Sequence, residues 1–79
     1  MSTTYLTRID VAHNMRRYYR LDVQPTLFGE MALVREWGRI GQAGQVRTTP
    51  YPTDTEANAA FERYRKAKVR RGYSPHKTA

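Results

Sequence analysis

The heptapeptide Pro50-Tyr51-Pro52-Thr53-Asp54-Thr55-Glu56 divides this chain into two parts with different periodicity. Neither proline can donate to a strand ladder, so extended structure has to stop here. Thr53 with Glu56 three residues on is a capping box, and Asp54 and Glu56 suit the positive end of a helix dipole. Beyond it Ala57, Ala60, Phe61, Tyr64, Ala67 and Lys68 recur at helical spacing, while Asn58, Glu62, Arg65 and Lys66 fill the opposite face. Gly72 follows as a left-handed cap, with Tyr73 folding back behind it. The 79 residues suffice for one small core and leave no room for a cleft between domains. Residues 1–73 are therefore expected to form a single domain, with 74–79 as a disordered tail.

Everything ahead of Pro50 reads with period two. Tyr5 to Val11 alternates, Ala12-His13-Asn14 turns the chain, and Arg16 to Val23 forms a second strand with Tyr19, Leu21 and Val23 toward the core. Tyr18, Arg20 and Asp22 then face outward. Tyr18 has two readings, a stacking platform beside Arg16 and Arg20 or a cross-strand packing partner, the second being the commoner use of such a residue. Pro25 to Gly29 connects to a third strand beginning at Glu30 or Met31, with Gly29 at positive φ. Gly41-Gln42-Ala43-Gly44 turns the chain again into a short fourth strand, Gln45 to Thr49. The fold class is α+β: a small antiparallel sheet of about four strands with one C-terminal helix packed on it.

The third strand carries the single tryptophan, in Arg35-Glu36-Trp37-Gly38-Arg39-Ile40-Gly41. Alternation puts Leu33, Arg35, Trp37 and Arg39 on one side, and Val34, Glu36, Gly38 and Ile40 on the other. Burying unpaired charge costs several kcal/mol, so the Trp37 side is expected to meet solvent or a partner. Gly38 allows a bulge or the close approach of another backbone. A formal charge of +7 and a pI near 10.3 point to a polyanion, and eleven of the fourteen basic residues are arginine, which suits phosphate and stacks on bases. Nucleic acid heads the candidates. A membrane partner is not expected, since no basic helix is Leu- or Trp-rich and no apolar run approaches the roughly 20 residues of a spanning helix.

Cysteine is absent, which removes disulfides, thiolate metal sites and thiol nucleophiles and fits a reducing cytoplasm. His13 and His76 do not assemble a metal site by spacing, and no cofactor is expected. The seven carboxylates are scattered or sit at strand and cap positions, and no serine stands near a plausible base, so no catalytic residue is assigned. A binding module is expected. Its surface would use Trp37 for stacking, Gly38 for close approach, and Arg35, Arg39 and Arg47 for phosphates, extended by Lys66, Lys68, Arg70 and Arg71 at the helix end.

Trp37-Gly38-Arg39-Ile40-Gly41, with Gly44, Phe61, Lys68 and the closing Gly72-Tyr73, resembles the WGR domain. That domain occurs within DNA-dependent poly(ADP-ribose) polymerases and as small stand-alone bacterial proteins, and Arg8-Ile9-Asp10 and Tyr19 to Val34 are similar to the stand-alone kind. The resemblance implies that Trp37 and Arg39 sit against nucleic acid near a strand break, with the arginine also relaying contacts to a neighbouring domain. DNA is favoured over RNA, as ends, nicks or single strands without sequence specificity. The alternative class is a protein-docking module that uses the same Trp/Arg surface as a hot spot. Packing of Trp37 under the helix is the purely structural alternative.

Overall fold

The computed structural model describes residues 2–75. Five antiparallel strands, β1 (Thr3–Asp10), β2 (Met15–Pro25), β3 (Met31–Arg39), β4 (Gln45–Tyr51) and β5 (Ser74–Pro75), form one sheet in the order β4-β3-β2-β1-β5, and α1 (Asp54–Arg70) lies on one face. The expected α+β class holds, with one strand more than the alternation suggested.

Both ends of α1 follow local rules. The Thr53 hydroxyl oxygen accepts the Glu56 N–H at 3.2 Å, satisfying one orphan donor of the first turn. Thr53→Ala is expected to cost about 1 kcal/mol, read as a fall of about 4–8 °C in the thermal midpoint of a domain this size. At the other end Gly72 adopts φ +96°, the Gly72 N–H donates to the Val69 carbonyl and the Tyr73 N–H to the Lys68 carbonyl, each at 3.1 Å. This Schellman closure turns the chain back on the sheet. Tyr73 is thereby buried, and Ser74 and Pro75 are set opposite Thr7 and Leu6 as β5. The start of a tail at Ser74 is corrected accordingly: the reversal at Gly72 delivers these two residues to the free edge of β1. The expectation for 76–79 lies outside the described residues.

Leu6, Tyr19, Leu21, Val23, Leu33, Ala57, Ala60, Phe61 and Tyr73 make the core between sheet and helix. The register sorts the helix-facing surface into rows. Val23 pairs with Leu33, Leu21 with Arg35, Tyr19 with Trp37 and Arg17 with Arg39, while Arg35 also pairs with Arg47 across β4. Along β3 the helix-facing side therefore runs Leu33, Arg35, Trp37, Arg39, an aliphatic residue followed by the tryptophan between two arginines. Ala57, Ala60 and Phe61 cover the aliphatic rows, and burial of Phe61 contributes roughly 2–3 kcal/mol.

The opposite face of the sheet is closed by its own side chains. Tyr18 is buried there, stacked on Tyr5 with centroids 5.7 Å apart and rings 6° from parallel, so it is a cross-strand packing partner and not an outward platform. Its hydroxyl donates to Glu36 at 3.0 Å, and burial together with Glu36 raises its pKa. Arg20 reaches Asp22 at 3.3 Å and Glu36 at 3.5 Å. Burial alone would raise the Asp22 carboxyl, but hydrogen bonds from Thr3 and Gln24 and the charge of Arg20 outweigh it and hold the pKa below the ordinary value. Asp22 and Glu36, the two carboxylates in the middle of the sheet, are thus both committed on the side away from Trp37.

Candidate nucleic-acid interface

The helix covers the Trp37 side of β3, which corrects the expectation that this side meets only solvent or a partner. Leu33 on that side is fully buried, Arg35 and Trp37 are half-buried and Arg39 is exposed, so cover is lost residue by residue toward the strand's end. Trp37 packs on the core, its ring 6.3 Å from that of Tyr19, and remains partly accessible. Arg35 is tolerated because its guanidinium lies 4.3 Å from the Tyr64 ring centroid and 5.7 Å from that of Trp37. Stacking of this kind replaces an ion pair. The Arg35 Nε is buried with no hydrogen-bond partner among the described residues.

Lys68, projecting from the last turns of α1, completes the arrangement. Its ammonium sits 4.6 Å from the Tyr19 centroid and 5.4 Å from that of Tyr73. Burial, then the neighbouring charges of Arg71, Arg17 and Arg35, push its pKa below 10.5. Burial raises the Tyr19 hydroxyl, against the opposing pull of Arg35. Two hollows open around Trp37, one of about 310 Å³ lined by Tyr19, Arg35, Trp37, Tyr64, Lys68 and Arg71, the other of about 360 Å³ lined chiefly by Arg17, Trp37, Arg39, Lys68 and Tyr73. Among the described residues no carboxylate lines either hollow.

A family model described as "WGR domain" matches residues 2–79. The chain belongs to the WGR domain family. It is similar to a protein of Sinorhizobium fredii (strain NBRC 101917 / NGR234) named "Uncharacterized protein y4dW", at 39% identity over 71 residues, which is 90% of this chain and 35% of that protein. The chain thus spans about a third of that relative's length. No solved structure matches it.

The name-giving tripeptide of the WGR domain is held by a contact between two glycines. A Cβ on Gly38 would stand 2.8 Å from the Gly44 Cα, and a Cβ on Gly44 would land on the Trp37 carbonyl oxygen and the Tyr18 hydroxyl. Gly44 therefore serves close approach, while the turn itself takes its positive φ, +86°, at Gly41 alone of the two. Arg39 is aimed by Asn14, whose backbone and side-chain oxygens accept from the guanidinium at 3.2 and 3.3 Å. Asn14 itself sits at φ +52°, just after a 3-10 turn over Val11–His13, so the β1–β2 connection helps to set the motif arginine.

Of the residues singled out from sequence, Trp37, Gly38, Arg39, Arg35, Lys68 and Arg71 come together around the hollows. Arg47 is exposed on the edge strand β4, opposite Arg35 and not beside Trp37, whose partner there is Gln45. Lys66 and Arg70 are exposed and line neither hollow, because 66 and 70 fall off the helical stripe that runs through Phe61, Tyr64, Lys68 and Arg71. Arg17, Tyr64 and Tyr73 were not singled out. Tyr64 was legible on the helix stripe as a core residue, whereas Arg17 reaches the site only through the β2–β3 register that pairs it with Arg39.

Proposed function

We propose that this WGR domain is a binding module for nucleic acid, DNA ahead of RNA, that engages ends, nicks or unpaired stretches without reading sequence. The observation that carries the reading is a half-buried tryptophan ringed by Arg17, Arg35, Arg39, Lys68 and Arg71 with no carboxylate among the lining residues. Phosphates satisfy such a cluster, and the accessible part of the Trp37 ring offers a stacking surface to a base or sugar. The association of WGR domains with nucleic acid in poly(ADP-ribose) polymerases supports the same reading. Arg47, Lys66 and Arg70 extend the positive field from exposed positions outside the hollows, where salt screens a charge more than it does the half-buried Arg35 and Lys68.

The test is a titration of blunt, nicked and single-stranded DNA and of RNA at two salt concentrations. Affinity is expected to fall with a log–log slope corresponding to roughly four to six phosphates. A flat salt dependence would overturn the reading. A pH series adds a site-specific check, because a bound phosphate favours the charged form of Lys68, whose free pKa lies below 10.5. Affinity should therefore drop as pH rises through that lowered pKa, and Lys68→Arg, which stays charged, should remove this part of the drop. An unchanged alkaline profile in Lys68→Arg would take Lys68 out of the contact.

The second reading is a protein-docking module that uses the same Trp37 and arginine surface, yet the most exposed large apolar side chains stand elsewhere. Leu27 and Phe28, 99% and 87% exposed, stand on the β2–β3 connection, at the opposite end of β3 from Trp37. Leu27→Ser with Phe28→Ser is expected to leave nucleic-acid affinity unchanged in the same titration.

A further inference from the structure

The space around Trp37 is divided, and the division bears on which form of nucleic acid fits. Trp37 and Lys68 are common to both hollows, so the indole forms part of the wall of each and the ammonium borders each. Every other lining residue belongs to one side alone. Tyr64, Arg35 and Arg71 form an aromatic and cationic set on one side, and Tyr73, Arg17 and Arg39 form another on the second. Each set has the composition that receives one nucleotide, a ring to stack on and cations for its phosphate. At about 310 and 360 Å³ each hollow lies at the small end of ligand sites, which run from about 300 to 1,000 Å³. Each hollow has room for one base.

We propose that the site takes two consecutive unpaired nucleotides of one strand, one base on either side of Trp37, with the intervening phosphate on Lys68. This rests on the nucleic-acid reading above and narrows it to single strands. Spacing supports the assignment. Arg35 and Arg39 are four residues apart on β3, about 13 Å along an extended strand. A stacked strand advances about 3.4 Å per nucleotide and would bring several bases across that distance in a continuous pile. Trp37 stands between the two arginines and interrupts such a pile, so the strand has to splay its bases to either side. Lys68, held over Tyr19 and Tyr73 beside Arg71 and Arg17, is the cation that both sides share.

Because Trp37 is the single tryptophan, its fluorescence reports this site and nothing else. The experiment titrates the full chain at low salt with thymidine oligonucleotides of one, two, three and four units, all without terminal phosphates, and with a blunt DNA hairpin. The expected result is a gain of about tenfold or more in affinity from one unit to two, with smaller and even gains beyond. The hairpin is expected to bind through its phosphates while quenching Trp37 less than the tetranucleotide does. Arg71→Ala, an exposed change, and Tyr64→Leu, which keeps an apolar contact with the helix stripe, should both reduce the step from one unit to two. An even rise in affinity from one unit to four, or a hairpin that quenches Trp37 as fully as the tetranucleotide, would overturn the two-sided register while leaving nucleic-acid binding intact. If neither oligonucleotides nor hairpin bind in a salt-dependent way, the broader reading falls with it.

Discussion

Gly44→Ala is expected to destabilise the domain by about 3 kcal/mol and to disorder the motif at the same time. The added methyl has nowhere to go. On one side it meets the Trp37 carbonyl oxygen and on the other the Tyr18 hydroxyl, which is itself fixed by its bond to Glu36. Gly38 cannot yield either, since its own Cβ position is 2.8 Å from the Gly44 Cα. Relief would require β3 to move at the tryptophan, so thermal unfolding and the Trp37 emission spectrum should change together. Gly41 is the control. It needs its left-handed φ of +86°, but a Cβ there finds nothing within 4 Å. Gly41→Ala should therefore cost only the backbone term, roughly 1–2 kcal/mol, with the indole spectrum unaltered. Equal losses from the two changes would refute the account of Gly44 as a contact glycine.

The contrast between these glycines shows what the residues reveal on their own. A glycine-rich turn after a tryptophan strand was legible, as was the positive φ at Gly29, because turns depend on neighbours in sequence. The helix was legible for the same reason: Thr53 and Glu56 mark its start and Gly72 its end within one turn of chain each. The role of Gly44 was not, because it depends on Tyr18 arriving from another strand. Alternation sorted β3 correctly into two sides, and Leu33 on the Trp37 side was the available sign that this side borders the core. The charge of Arg35 and Arg39 outweighed that sign. What the charges concealed is that a helix can cover part of a face: Phe61 closes the aliphatic rows, while Tyr64 takes the Arg35 guanidinium by stacking. The β5 pairing has no signature in the sequence, because two residues carry no periodicity.

Register was the other hidden quantity, and it decides the composition of the site. Tyr19 faces Trp37 because the connection from Pro25 to Met31 closes with Thr26 N–H on the Glu30 carbonyl at 2.8 Å, a detail that no alternation pattern specifies. A slip of one residue would have sent Arg17 to the other face. Its presence beside Arg39 and Lys68 is thus a property of the folded hairpin.

Trp37→Ala is expected to lower affinity for single strands and ends by about 1–3 kcal/mol, roughly 5- to 150-fold, with the salt slope unchanged. The loss is one of stacking, and stacking releases no counterions. Because Trp37 also packs on the core, its removal should lower the thermal midpoint, so the titration has to be run well below the midpoint of the variant, with Trp37→Phe as a partner that keeps an aromatic ring against Tyr19. Arg39→Ala should behave in the opposite way, weakening every substrate and reducing the slope by about one. Its guanidinium uses two of five donors on Asn14 and keeps the rest for a phosphate. An unchanged slope in Arg39→Ala would mean that Asn14 is its whole purpose. Affinity in Trp37→Ala equal to that of the parent, measured on folded protein, would make the tryptophan a packing residue, and binding would then rest on the ring of cations alone.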